Sequence, residues 1–278
     1  MSLFIFFSVL AAAVLHAGWN AILKLGTGRI ATMMVLSGLQ GILGLAIALA
    51  YPLPALHVWP WIVASGAIHS AYKLFLTYAY EHGDLSRVYP LARGTAPLIT
   101  LAVGALWLGE AVSGAETAGI LLLGAGILIL AHGIWTGGES LRMLPFALGS
   151  ACATASYTLV DGIGARLADA SSVYVGWLFA VDGAIFAAAM LILKGRASLP
   201  DGWAIWARGA MAAAASYGSY AVAVWAMTLA PIALVAALRE TSILFAVLIG
   251  WLVFGERMAP AKALSVAMIA AGVIVTRL

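Results

Sequence analysis

Two arginines, Arg93 and Arg239, interrupt otherwise apolar segments, and the stretches around them match at a fixed offset of 146 positions. At that offset Thr95 falls on Thr241, Leu98 on Leu244, Gly104 on Gly250 and Leu106 on Leu252. The pairs Gly109-Glu110 and Ala125-Gly126 fall on Gly255-Glu256 and Ala271-Gly272. A guanidinium near the middle of a bilayer costs about 3 kcal/mol or more, so it needs a partner or a wet cavity. Meeting that cost twice, at equivalent places, describes a duplicated membrane protein with a polar centre. Internal duplication around a polar midplane is the pattern of a transporter.

Composition agrees. Of 278 residues, 64% are hydrophobic and 9% charged, against about 25% charged in a soluble domain. The pI near 9.1 does not point to nucleic acid, because the basic residues are scattered singly and form no phosphate-neutralising run. Cys152 is the single cysteine, which excludes an intrachain disulfide and a cysteine-cluster metal site. The five histidines are dispersed without a ligand spacing, so neither a metal nor any other cofactor is expected. Ala11-Ala12-Ala13 resembles a signal-peptide cleavage region, but the segment lacks a positive start and is read as a retained helix.

A span needs about 20 apolar residues, and short polar punctuation divides the chain into ten: 3–23, 31–50, 60–80, 86–108, 115–135, 143–163, 172–193, 208–229, 232–254 and 260–277. Helices are expected, since backbone groups in lipid must pair within their own segment. Pro60, Pro145, Pro231 and Pro260 stand at helix starts, where a missing N–H is harmless. The offset joins spans four and five to spans nine and ten. Five spans per half make the halves enter the membrane from opposite sides, so the repeat is inverted. Gly18-Trp19-Asn20 and Ser156-Tyr157-Thr158 echo each other in the first span of each half. The expected fold is an all-α membrane protein of two inverted five-helix repeats, 1–138 and 139–278, around a central cavity.

Beyond the duplication, His16-Ala-Gly-Trp-Asn20, Gly83-Asp-Leu-Ser86 with Tyr89-Pro-Leu-Ala-Arg93, and the two Gly-Glu loops carry a resemblance. On these motifs the chain resembles the EamA-type ten-span proteins of the drug/metabolite transporter superfamily over essentially its whole length. The resemblance implies a basket of two inverted halves, a bacterial cytoplasmic (inner) membrane location and transport of a small solute. The nearest analogues are exporters of aromatic and other neutral amino acids. It also implies termini inside the cytoplasm, whereas the chain's own charges say otherwise. Nine loop lysines and arginines fall on one side of the ten-span arrangement and only Arg166 and Arg277 on the other, which puts both termini outside.

The spans carry polar stripes that are the candidate cavity wall. His16 and Asn20 are four apart on the first, and His69, Tyr72 and Lys73 share one face of the third. Tyr157 and Asp161 lie on the sixth span, Tyr217 and Tyr220 on the eighth, Tyr89 and Arg93 on the fourth, and Arg239 and Glu240 on the ninth. Pro90 and Pro97 flank Arg93 and predict an irregular helix there. Arg93, helped by Lys73, is therefore expected to offer free positive charge, with Arg239 mainly structural and Asp161 or Asp182 as compensating acids. Fixed positive charge among aromatic rings suits an amphipathic solute with a carboxylate, such as a neutral amino acid. No phosphate-binding glycine loop is present, so the energy source is not ATP. Asp161, Asp182, Glu240 and the histidines are the candidates for a coupling proton. The expected partners are thus a small-molecule substrate and membrane lipid, with the protein a monomer or weak dimer. A flippase for a lipid-linked intermediate is the alternative function. An enzyme is not expected, because Asp161 with Asp182 is the only crude catalytic pair.

Overall fold

A computed structural model of the chain describes residues 1–24, 28–82, 96–136, 144–253, 255 and 257–278. The first half supplies α1 (Leu3–Lys24), α2 (Arg29–Ala48), α3 (Trp59–His82), α4 (Ala96–Leu106) and α5 (Gly114–Thr136). The second supplies α6 (Leu144–Leu167), α7 (Ser171–Lys194), α8 (Trp203–Met227), α9 (Ile232–Arg239), α10 (Ser242–Leu252) and α11 (Pro260–Val275). Since α9 and α10 are two pieces of one segment, the elements make ten spans, with no strand among the described residues. Several hydroxyl residues of the spans are satisfied locally: Thr154 donates to the Ser150 carbonyl at 2.9 Å and Thr158 to that of Thr154 at 2.7 Å. Such back-bonding lets a polar residue sit in an apolar span without an orphaned group.

The two halves interlock more than they pack internally. Helix α3 lies on α6 as α8 lies on α1, and α2 lies on α8 as α7 lies on α3. The remaining large contacts pair equivalent helices directly, α2 with α7 and α5 with α11. That pattern is a pseudo-twofold arrangement, and an odd number of spans per half inverts it. Backbones touch at both self-paired crossings. A Cβ on Gly44 would stand 2.6 Å from the Gly176 carbonyl oxygen, and one on Gly119 would stand 2.6 Å from that of Gly272. Small residues are what allow helices to approach this closely in lipid.

The sequence duplication reappears as geometry. Helices α4 and α10 start and stop at residues related by the same 146 positions. Gly109 and Gly255 both adopt a left-handed backbone, φ 61° and 64°, which glycine reaches without a steric penalty. After the first of these turns Glu110 crosses to the other half and caps α9. Its carboxylate accepts the Ile232 N–H at 2.9 and 3.0 Å and the Arg166 guanidinium at 2.8 Å. Arg166 also donates to the carbonyls of Met227 and Ala230, at 2.9 and 3.0 Å.

The irregular backbone expected around Arg93 and Pro90 lies outside the described residues; Pro97 lies in α4. The break the structure describes follows Arg239, with no proline near it. There Glu240 and Thr241 close tight turns onto Ala237 and Leu238, at 3.1 Å each. The Thr241 hydroxyl takes the Leu238 carbonyl at 2.6 Å, competing with the helix ladder that α9 would otherwise extend.

Candidate functional site

A small cavity lies where the two halves meet. From the first half it is lined by His16 and Trp19 on α1, Met33, Leu36 and Gln40 on α2, and His69, Tyr72 and Lys73 on α3. From the second half come Tyr157 on α6, Phe179 on α7, Ser216 and Tyr220 on α8, and Arg239 at the end of α9. The free space is small, about 40 Å³.

Arg239 is 2% exposed. Its guanidinium donates to the Tyr157 hydroxyl at 3.3 Å and stands over the Tyr220 and Tyr157 rings, 5.0 and 5.9 Å from their centroids. The imidazole of His69 stacks on Tyr157 at 4.0 Å and meets Tyr220 edge-on at 5.1 Å. Ser65, one turn earlier on α3, holds His69 Nδ1 through its hydroxyl at 3.2 Å and its carbonyl at 3.1 Å. On the opposite chain segment Trp19 donates to His16 Nδ1 at 3.3 Å. The amide of Gln40 donates to Ser216 at 3.2 Å, while its Oε1 has no hydrogen-bond partner among the described residues.

Two buried carboxylates stand behind this wall. Asp182 on α7 receives Lys73 Nζ at 2.5 Å and the Ser70 hydroxyl at 3.0 Å, and Lys73 also donates to Ser37 at 2.9 Å. Asp161 on α6 accepts hydrogen bonds from Tyr174, at 3.0 Å, and from Tyr220.

The profile of the EamA-like transporter family matches residues 141–278. Through its second half, the chain belongs to the EamA-like transporter family. A solved crystal structure, described only as that of a protein, superposes on this transporter with a TM-score of 0.71 at 18% identity. It covers 98% of this chain and 94% of its own, and at that identity it speaks for the fold alone. Among curated proteins none matches the sequence. The transporter is thus a multi-pass membrane protein of the drug/metabolite type.

Of the residues singled out in the sequence, His16, His69, Tyr72, Lys73, Tyr157, Tyr220 and Arg239 come together on the cavity. Four others do not line it. Asn20 donates to the His16 carbonyl of its own helix at 2.7 Å. Tyr217 packs on Phe179, 5.4 Å between rings. Asp161 is screened by Tyr220, and Glu240 is buried beyond the end of α9. Tyr89 and Arg93 lie outside the described residues. The assignment of Lys73 as free positive charge is corrected, because Asp182 neutralises it within an apolar interior. Arg239, expected to be mainly structural, lies on the cavity of the transporter.

Sequence reading missed Gln40, Ser216 and the Ser37–Ser70 pair. Gln40 had a usable signal, a lone amide in α2, where every other residue after Arg29 is apolar or small. The serines had none, since serine is common in spans and its partner is fixed only by packing.

Proposed function

We propose that this transporter is a secondary carrier for amphipathic carboxylate solutes, neutral and aromatic amino acids among them, moving them across a bacterial cytoplasmic membrane. The observation that carries the reading is the Arg239 guanidinium, buried on a cavity walled by Tyr157, Tyr220, Tyr72 and Trp19. A buried guanidinium favours a planar anion that it can hold by paired hydrogen bonds. The rings offer apolar faces to the rest of the solute. Gln40 Oε1, an acceptor short of a donor, supplies a place for an ammonium hydrogen. The cavity is small, about 40 Å³, so binding entails widening between the halves.

The test is a thermal-shift series on the detergent-purified protein with neutral, aromatic, acidic and basic amino acids, followed by counterflow in proteoliposomes. A true ligand at one hundred times its Kd adds about 2.7 kcal/mol of stability, a readable rise in Tm. Neutral or aromatic amino acids should give that rise, and Arg239→Gln should remove it with at least a tenfold loss of affinity. Equal responses to all classes, or an unchanged response in Arg239→Gln, would refute the reading.

A further inference from the structure

We propose that Asp161 is the proton-binding residue of the transporter and that it takes up its proton together with the solute, with Tyr220 joining carboxyl to cavity. This rests on the carboxylate-solute reading above. The three acids buried in the spans differ in what surrounds them. Asp182 is locked to Lys73, and Glu240 closes α9 away from the cavity. Asp161, 0% exposed, is met by neutral hydroxyls alone, those of Tyr174, Tyr220 and Ser65. The one basic side chain within 4 Å of it among the described residues is the imidazole of His69, with Nε2 at 3.9 Å. That nitrogen has no hydrogen-bond partner among the described residues.

The geometry also gives the proton a way in. Ser65 presents His69 Nδ1 with both a carbonyl acceptor and a hydroxyl donor, so either ring tautomer is satisfied. His69 Nε2 can therefore face Asp161 with or without a proton. Both His69 and Tyr220 line the cavity, which is where water supplies the hydrogen ion: hydronium leaves a water behind and the carboxylate becomes a carboxylic acid.

The sign of the linkage follows from the neighbours. From α3, His69 and the Asp182-bound Lys73 face this region; from α7, Tyr174 and Asp182; from α8, Tyr217 and Tyr220; from α9, Arg239, with Glu240 past the helix end. Tyr157 belongs to α6 itself, α4 brings no titratable side chain, and Arg166 at the end of α6 is held by Glu110. A solute carboxylate on Arg239 cancels the cation nearest the Tyr220 ring and competes for the Tyr220 hydroxyl. Both changes withdraw stabilisation from ionised Asp161, so the proton arrives with the anion. The solute's ammonium is directed toward Gln40, on α2, which packs on α7 and α8 rather than on α6. For a solute without an ammonium, one negative and one positive charge then enter the apolar interior together, which lowers the desolvation cost of crossing.

The experiment adds phenylalanine, and separately phenylpropionate, to lightly buffered purified protein while thermal shift reads binding and a pH indicator reads protons. The expected result is one proton taken up per solute bound, with affinity falling as pH rises, by up to about tenfold per pH unit for a single linked proton. Asp161→Asn, a mimic of the protonated acid, should bind without proton uptake and with a flat pH profile. Tyr220→Phe keeps the ring and should bind with uptake well below one proton, which keeps the test open should Asp161→Asn fold poorly. Binding without proton uptake, or uptake that persists in Asp161→Asn, overturns the proposal and leaves the amino-acid reading standing. Phenylpropionate binding with a proton while phenylalanine does not bind supports the proton site and overturns the amino-acid reading. Binding of neither solute overturns both.

Discussion

The crossing of α2, α3 and α7 and the wall formed by α6, α8 and α9 each bury an aspartate, and they treat it in opposite ways. At the first, Lys73 meets Asp182 at 2.5 Å, serines take the remaining hydrogen bonds, and glycines bring the α2 and α7 backbones into contact. Cation and anion neutralise each other there. At the second, Asp161 faces phenols while the cation, Arg239, is turned to the cavity beyond them. Charge that is compensated at contact distance stiffens the bundle. Charge held one ring apart stays responsive to what enters the space between.

The largest expected effect tests the first region. Asp182→Ala leaves Lys73 buried without its anion, which should cost about 3–5 kcal/mol and lower the melting temperature in detergent accordingly. The double change Lys73→Met with Asp182→Leu removes both charges and should recover most of that loss. If the double variant is no better than the single one, the crossing is not an ion-pair clamp and the contrast with Asp161 collapses.

A smaller effect sharpens the backbone part of the contrast. Gly44→Ala sets a methyl 2.6 Å from the Gly176 carbonyl and 3.2 Å from Phe179 Cβ, against atoms that have little room to move. A loss of about 1–3 kcal/mol is expected from overpacking. On the same helix Gly38 has no atom within 4 Å of an added Cβ, so Gly38→Ala should gain about 0.5–1 kcal/mol from reduced chain entropy. Equal melting temperatures for the two variants would mean that the α2–α7 crossing is not close-packed.

The smallest effect comes from the same acid–base chemistry moved to the rim. Glu110 pairs with Arg166, whose side chain is 36% exposed, so water competes and the pair itself contributes under about 1 kcal/mol. The carboxylate also caps α9. Glu110→Ala should cost about 1 kcal/mol, mostly as a lost cap. A loss as large as that of Asp182→Ala would show that depth is not what separates the clamp from the rim.

Much of this architecture was written along the chain. The ten spans follow from apolar length, because lipid leaves a backbone no partner but itself. The inverted pairing follows from an odd number of spans per repeat, and the 146-residue offset even fixed where α4 and α10 run. The histidine, tyrosine and arginine stripes were legible for a related reason: a polar group in lipid is costly, so each one had to turn inward. What the sequence left open was which inward group meets which. Lys73 and Asp182 are 109 residues apart, and Asp161 finds Tyr220 across 59; only helix packing makes them neighbours. The break after Arg239 was hidden as well, since a threonine hydroxyl competing for a carbonyl leaves no mark as loud as a proline. Hydrophobic length and periodicity are properties of a segment and can be read from it. Charge compensation is a property of contacts between segments, and so the division between a clamp and a responsive site was decided by the tertiary structure.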